Sequence, residues 1–122
     1  MDSKRVLFVD DDALVAQLTA ATLKRHGHTV ETFGDPESAL AAFRRDPGGY
    51  DLLVVDLRLG AASGFDLCEA MRAVRPDLPV VVASGHVGPA EEARARALGV
   101  NEILPKARAL TEFPRLLSRL FD

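Results

Sequence analysis

Short apolar runs alternate with longer amphipathic stretches along this chain, and Gly, Pro or Asp marks most of the changes between them. The short runs predict five strands, and three of these are the continuous Val- and Leu-rich kind that is buried on both faces of a sheet. The strands are expected over residues 5–9, 29–33, 52–56, 80–83 and 101–104. Strands that alternate with helices in this way indicate a parallel sheet built from βα units.

Helical periodicity occupies the intervals between the strands. It is clearest in the last helix, where apolar side chains recur at helical spacing at Leu110, Phe113, Leu116, Leu117 and Leu120. The other helices are predicted over residues 13–25, 36–45, 64–75 and 90–98. Two residue pairs are typical helix starts, Asp35-Pro36 and Gly88-Pro89, and two glycines are typical stops, Gly27 and Gly99. The pattern therefore predicts an open five-stranded sheet with helices on both faces.

Composition limits what such a fold can be. A chain of 122 residues with 48% apolar residues matches one domain with one sizeable core. Its 18 acidic and 15 basic residues give a net charge of −3, and the basic residues are scattered, which argues against direct nucleic-acid binding. The single cysteine, Cys68, excludes an internal disulfide. Neither a signal peptide nor a membrane span is recognisable, so a cytoplasmic location is expected.

Reactive side chains follow four of the five predicted strands. An open parallel sheet binds its ligand beyond the carboxyl ends of its strands. The residues expected there are Asp10, Asp11, Asp12, Asp56, Ser84 and Lys106. Each also has a simpler interpretation: Asp12 is favoured as a helix N-cap, Ser84 as part of a turn, and Lys106 as a solvated surface residue.

The simpler interpretations leave the convergence of Asp10, Asp11 and Asp56 unexplained. Carboxylates held together repel one another, and a divalent cation among them removes that penalty. Mg²⁺ suits such a site because it prefers oxygen ligands and retains positions for water and phosphate oxygens. With a hydroxyl and an ammonium group in reach, the set is typical of chemistry in which an aspartate attacks phosphorus.

At this point the chain resembles the receiver domains of two-component response regulators, including the single-domain chemotaxis regulators. The motifs "VLFVDDD", "LLVVDLRLGAASG", "PVVVASG" and "ILPK" occur in the family's order over essentially the whole chain. The resemblance implies a flavodoxin-like doubly wound sheet, with strand order 2-1-3-4-5 and five helices. It also implies that residues 1–122 form a single receiver domain.

The resemblance further implies a role for each site residue. Asp56 corresponds to the phosphoacceptor. Asp11 corresponds to a direct Mg²⁺ ligand, Asp10 to a residue that holds the ion mainly through water, and the backbone carbonyl of Arg58 to the third protein ligand. Two residues correspond to groups that contact phosphoryl oxygens, Ser84 and Lys106. Gly64 matches the family's glycine after the acceptor loop.

Three positions depart from the family pattern. Gly60 replaces the usual proline of the acceptor loop, which predicts a looser turn. Ala107 replaces the proline that usually follows the lysine in a cis peptide. A cis bond before a non-proline residue costs about 2.5 to 4 kcal/mol, so we expect a trans Lys106-Ala107 bond and a rearranged loop before the last helix. Ile103 occupies the position of the family's switching aromatic residue.

The function that follows is a phosphoacceptor switch. The chain would receive a phosphoryl group at Asp56 from the histidine of a sensor kinase or a phosphotransfer protein. Because the domain would catalyse only its own phosphorylation and dephosphorylation, it is not expected to be an enzyme that acts on other molecules. The signal would pass to a downstream protein that the sequence does not identify. Two alternatives remain: a Mg²⁺-dependent phosphatase or phosphotransferase with an aspartate nucleophile, and a pseudo-receiver that serves only as an interaction domain.

Overall fold

The computed structural model describes residues 3–121, and all five expected sheet strands and all five helices are present. The strands are β1 Arg5–Val9, β2 Thr29–Phe33, β3 Leu52–Asp56, β4 Arg58–Leu59, β5 Ala62–Ser63, β6 Val80–Ser84 and β7 Glu102–Pro105. The helices are α1 Ala13–Arg25, α2 Pro36–Arg45, α3 Gly64–Val74, α4 Pro89–Ala97 and α5 Lys106–Phe121. A short 3₁₀ turn, Pro47–Gly49, precedes β3.

Five strands form one parallel sheet in the order β2-β1-β3-β6-β7. Because β6 and β7 are the fourth and fifth strands of this sheet, the order is the expected 2-1-3-4-5, and the flavodoxin-like fold is confirmed. Every residue of β3 and β6 is buried. Their burial on both faces explains why these strands read as unbroken apolar runs in the sequence.

The sheet separates two layers of apolar side chains. Successive residues of a strand point to opposite faces, so Val6 and Phe8 pack on one side of the sheet while Leu7 and Val9 pack on the other. The first layer is closed by α1 and α5, including the buried Phe113. The second is closed mainly by α2 and α3, with only Ala95 buried from α4. Of the five helices, α4 therefore has the fewest buried residues among those that the structure describes.

The expected helix ends are borne out with small shifts. Asp12 caps α1 through hydrogen bonds from the backbone N–H groups of Leu14 and Val15, as its N-cap interpretation required. Gly27 and Gly99 adopt φ angles of 89° and 71°, where a residue with a side chain would be strained. The third helix ends at Val74, the fourth runs over Pro89–Ala97, and the fifth sheet strand lies one residue later than expected.

The loop that follows Asp56 is more regular than predicted. A looser turn was expected at Gly60, but β4 and β5 form a short antiparallel hairpin that pairs Arg58 with Ser63 and Leu59 with Ala62. Gly60 has a φ of 62° at the tip of this hairpin. Glycine adopts that left-handed conformation without strain, so its freedom permits a tight turn here.

The buried His28 gives the fold a pH dependence. Its Nδ1 accepts the backbone N–H of Lys4 at 3.1 Å, while its Nε2 is buried and has no hydrogen-bond partner among the described residues. Burial lowers the pKa of His28 below 6.5, and the nearby His26 and Lys4 lower it further. As the pH falls below about 6.5, His28 therefore takes up a proton in the unfolded chain before it does so in the folded protein. The folded state is destabilised as a result.

We predict that His28→Asn reduces this loss of stability, because the Asn amide oxygen can accept the same backbone hydrogen bond and cannot be protonated. Between about pH 7 and pH 5, the free energy of unfolding should fall less in the variant than in the parent. Urea unfolding at several pH values measures this difference. The exposed neighbour serves as a comparison: His26→Asn removes one contribution to the lowered pKa of His28 but keeps the buried imidazole, so its stability should still fall more than that of His28→Asn. Parallel curves for the parent and His28→Asn would contradict the prediction.

Candidate functional site

The carboxyl edge of the sheet brings the expected site residues together. Asp10 directly follows β1, Asp56 is the last residue of β3, and Ser84 is the last residue of β6. In the register of the sheet, Asp56 lies opposite Ala83, the residue before Ser84. Lys106 begins α5 immediately after β7. Parallel strands of matched length thus deliver these four side chains to one place.

Three carboxylates form the centre of the site. One carboxylate oxygen from each of Asp10, Asp11 and Asp56 lies within 4.8 Å of the other two. Asp10 and Asp56 are buried, at 2% and 6% exposure, whereas Asp11 is exposed. Asp12, which caps α1, is not part of this group. The structure therefore separates the three neighbouring aspartates into two site residues and one helix cap.

Lys106 supplies a cation to the two buried carboxylates. Its Nζ lies 2.8 Å from Asp56 Oδ2 and 3.1 Å from Asp10 Oδ2. Burial lowers the pKa of Lys106, but the contacts with Asp56 and Asp10 outweigh burial and raise it above 10.5. The ammonium therefore stays charged at neutral pH.

The Lys106-Ala107 bond is trans, as predicted, since residues 3–121 contain no cis peptide. The prediction of a rearranged loop before the last helix is wrong, however. Residue 105 ends β7, and α5 begins at residue 106. Lys106 reaches the carboxylates from the first turn of the helix, where a rearranged loop is not needed.

The donor set fits a hard cation. Burial raises the pKa of Asp10, against the opposing effects of the Asp12 backbone N–H and the Lys106 ammonium. Asp10 Oδ2 is buried and has no hydrogen bond from the described residues, although the ammonium lies close to it. A buried carboxylate oxygen of this kind, beside two more carboxylates, offers the oxygen-only coordination that Mg²⁺ prefers.

The Ser84 hydroxyl is engaged by its own loop. Its Oγ donates to the backbone carbonyl of His86 at 2.6 Å and accepts the backbone N–H of His86 at 3.2 Å. A cavity of about 360 Å³ opens beside it, lined by Asp56, Leu57, Arg58, Ser84, Gly85, His86, Glu91 and Lys106. The cavity lies directly against the Asp56 carboxylate and has room for a phosphoryl group.

Backbone contacts hold Asp56 and the chain around it in place. The N–H of Arg58 donates to Asp56 Oδ1 at 3.3 Å, and the N–H of Gly64 donates to the carbonyl of Leu57 at 2.8 Å. A Cβ at residue 64 would lie 2.2 Å from the Asp56 carbonyl oxygen, so only glycine permits this approach of α3.

Two contacts of the site were not predicted from the sequence. Glu91 lines the cavity and accepts the backbone N–H of Gly88 at 2.8 Å. Its position three residues after Gly88, at the start of a helix, was the available signal, because an acidic side chain there typically caps the helix. The second is a hydrogen bond from the Gly60 N–H to Asp11, for which the sequence carries no signal.

The family model for the response regulator receiver domain matches residues 6–118. The chain belongs to this family. It is a receiver domain of the two-component response regulator type, and receiver domains in general bind Mg²⁺ and act as phosphoacceptor switches. The acidic cluster of Asp10, Asp11 and Asp56 lies where such an ion could be held.

Similar proteins support the assignment. The transcriptional regulatory protein TcrA of Mycobacterium tuberculosis is 33% identical over 117 residues, covering 88% of this chain and 46% of TcrA. The response regulator MprA of Mycobacterium leprae is 33% identical over 116 residues, covering 95% of this chain and 49% of MprA. The receiver domain thus spans about half the length of these curated relatives.

Solved structures share the same fold. The chemotaxis protein CheY4 of Vibrio cholerae superposes with a TM-score of 0.90 at 25% identity, over 98% of this chain and 99% of CheY4. The non-phosphorylated HemR receiver domain of Leptospira biflexa gives a TM-score of 0.89 at 33% identity, over 97% of this chain and 94% of that domain.

Within residues 3–121, no helix has the length and apolar character needed to cross a membrane.

Proposed function

We propose that this receiver domain accepts a phosphoryl group on Asp56 from a phosphohistidine, in a reaction that depends on Mg²⁺. One observation carries the proposal: the Asp56 carboxylate borders a cavity of about 360 Å³ while contacting Lys106 and lying beside two further carboxylates. A carboxylate in this setting is oriented for attack and surrounded by groups that can stabilise phosphoryl charge.

The reaction exchanges one phosphorus bond for another. A carboxylate oxygen of Asp56 attacks phosphorus, the bond to the histidine nitrogen breaks, and that nitrogen keeps the electron pair, so the imidazole leaves as a neutral ring with its proton on the other nitrogen. In the return step water attacks the acyl phosphate, which releases inorganic phosphate and regenerates the carboxylate. When bound, Mg²⁺ would supply positive charge to the phosphoryl oxygens. Asp10, Asp11 and the carbonyl of Arg58 are the groups proposed to hold it beside Asp56.

Ser84 and Lys106 respond to the new charge in this proposal. A phosphoryl group adds about −1.5 to −2 charge and strong acceptor oxygens. Lys106, which contacts Asp56 before phosphorylation, turns to a phosphoryl oxygen. The Ser84 hydroxyl exchanges its bond with the His86 carbonyl for another such oxygen, and the loop after β6 moves as a consequence.

The surface beside the site suits a helical phosphodonor. Leu14 and Leu18 lie one turn apart on α1 and remain 63% and 46% exposed, just beyond the acidic cluster. Residues at this spacing share one face of a helix. We propose that the sensor kinase or phosphotransfer protein packs against this face, which places its histidine over Asp56.

Phosphorylation by a small acyl phosphate tests the proposal. With Mg²⁺ present, the parent protein should gain one phosphoryl group per chain by intact-protein mass spectrometry. With a chelator present, the gain should disappear, because the carboxylates alone repel the donor. Labelling that is equally fast without divalent ions would contradict the metal requirement. A complete lack of labelling under both conditions would favour a pseudo-receiver.

The lifetime of the phosphoryl group gives a further prediction. Arg58 and His86 each lie two residues past a site residue, and both line the cavity that water must enter. Changing either to Ala should alter the rate of phosphate loss more than the rate of phosphate gain. Phosphate release after donor removal measures the loss. Decay rates equal to that of the parent in both variants would contradict this role.

The output is proposed to leave through the loop after β6 and through α4. Ile103 is a partly buried β-branched residue with no ring to turn inward, so the usual aromatic switch is absent at this position. Only Ala95 of α4 is buried, which lets this helix shift at low packing cost. A downstream partner would then bind the face of α4, β7 and α5, with Glu91, Arg94, Arg108 and Arg115 as candidate contacts.

Hydrogen exchange with and without beryllium fluoride tests this route. We predict altered exchange across residues 84–98, because the Ser84 loop and α4 respond to the phosphoryl mimic together. Changes confined to residues 59–63, with residues 84–98 unaltered, would overturn the route.

A further inference from the structure

The tip of the β4–β5 hairpin is joined to the acidic cluster by one backbone hydrogen bond. The N–H of Gly60 donates to Asp11 Oδ2 at 3.0 Å, across 49 residues of sequence. Asp11 is the exposed member of the three-carboxylate group, so packing does not fix its side chain. An exposed aspartate without a partner samples several rotamers, and a donor of fixed position selects among them.

The hairpin is well suited to hold that donor in place. Its two strands pair Arg58 with Ser63 and Leu59 with Ala62. Gly60 sits in the left-handed conformation at the turn, which directs its N–H out of the ladder and toward Asp11. A second bond, from the Arg58 N–H to Asp56 Oδ1, joins the same hairpin to another carboxylate of the cluster.

We propose that the Gly60 N–H is a positioning group of the cation site, which holds Asp11 with its carboxylate turned toward Asp10 and Asp56. The inference rests on the proposed function, because it assigns Gly60 a part in the Mg²⁺ site of that function. A group that orients a ligand commonly changes metal affinity by about 10- to 100-fold when it is lost. Gly60 itself does not contact the ion.

An amide-to-ester change at residue 60 removes this N–H and leaves the side chains unchanged. The single cysteine makes the protein accessible by ligation, because a synthetic segment of residues 1–67 can be joined to residues 68–122 at Cys68. We expect the ester protein to bind Mg²⁺ about tenfold more weakly than the same ligated protein with a normal amide, measured by titration calorimetry. Thermal unfolding of both proteins shows whether the ester also disturbs the fold.

Two variants show whether the effect runs through the hydrogen bond. Gly60→Asn keeps the N–H and tolerates the left-handed conformation, so its Mg²⁺ affinity should stay close to that of the parent. The second test compares Gly60 amide resonances in metal-free protein. Relative to the parent, the resonance should shift in Asp11→Ala and stay in place in Asp12→Ala, since only Asp11 accepts this hydrogen bond.

The outcomes separate this inference from the proposed function. Weaker Mg²⁺ binding by a folded ester protein, with near-parent binding by Gly60→Asn, supports the positioning role. Equal affinity of the ester and amide proteins would overturn it while the Mg²⁺ site stands. A Gly60 amide resonance that is indifferent to Asp11→Ala would overturn it as well. If the amide protein itself bound no Mg²⁺, the proposed function and this inference would fall together.

Discussion

Asp56→Asn is expected to abolish phosphoryl labelling, because the amide lacks the anionic oxygen that attacks phosphorus. The substitution keeps the size of the side chain, so the folded site should survive. Labelling with a small acyl phosphate and Mg²⁺, followed by intact-protein mass spectrometry, measures the effect. We expect no detectable phosphoryl gain over the time in which the parent is fully labelled.

Asp12→Ala is the matched control for that change. Asp12 is adjacent in sequence to two site residues, yet its carboxylate caps α1. Loss of an N-cap costs about 0.5–2 kcal/mol of stability, and labelling should remain largely intact. Unchanged labelling of Asp56→Asn would refute the acceptor assignment, whereas loss of labelling in Asp12→Ala with the fold retained would show that the cap interpretation is incomplete.

Lys106→Met is expected to destabilise the protein in metal-free buffer by about 2 kcal/mol or more. The change leaves the buried Asp10 and Asp56 carboxylates without the ammonium that contacts both. The full cost of breaking a buried ion pair, about 3–5 kcal/mol, is an upper bound here because the Lys106 side chain is 27% exposed. Urea unfolding measures the loss.

Added Mg²⁺ should restore part of that stability, and by more in Lys106→Met than in the parent, because the cation replaces the lost positive charge. Arg108→Met is the control, since this residue lies on the same helix with a side chain 62% exposed. Its stability should stay within about 0.5 kcal/mol of the parent. Equal stability of Lys106→Met and the parent without metal would show that the lysine contacts contribute nothing to the unphosphorylated fold.

The sheet was predictable because its physical cause is visible in the sequence. Strands buried on both faces are apolar along most of their length, so β3 and β6 stand out as apolar runs that end in the polar residues Asp56 and Ser84. The helix ends follow from backbone chemistry that few residues can supply, such as the positive φ of Gly27. Parallel topology then brings the strand ends together, and that rule alone placed Asp10, Asp56 and Ser84 at one site.

The parts that were missed depend on backbone geometry. Two-residue strands show no periodicity, so the β4–β5 hairpin left no pattern, and the expectation of a loose turn at Gly60 considered only that residue's freedom. The Gly60 contact with Asp11 is made by a backbone N–H, which every residue except proline carries. The direct start of α5 at Lys106 was also missed. A loop was expected there only because the family's proline is missing after the lysine, and that absence does not say where the helix begins.

Locating the phosphoryl group within the chain tests the central claim most directly. The parent protein is incubated with a small acyl phosphate and Mg²⁺, the acyl phosphate is trapped by reduction, and peptides are mapped by mass spectrometry. Reduction should convert one aspartate to homoserine, and the account predicts that this residue is Asp56. Modification at another residue, with Asp56 intact in a protein that gained one phosphoryl group, would contradict the account.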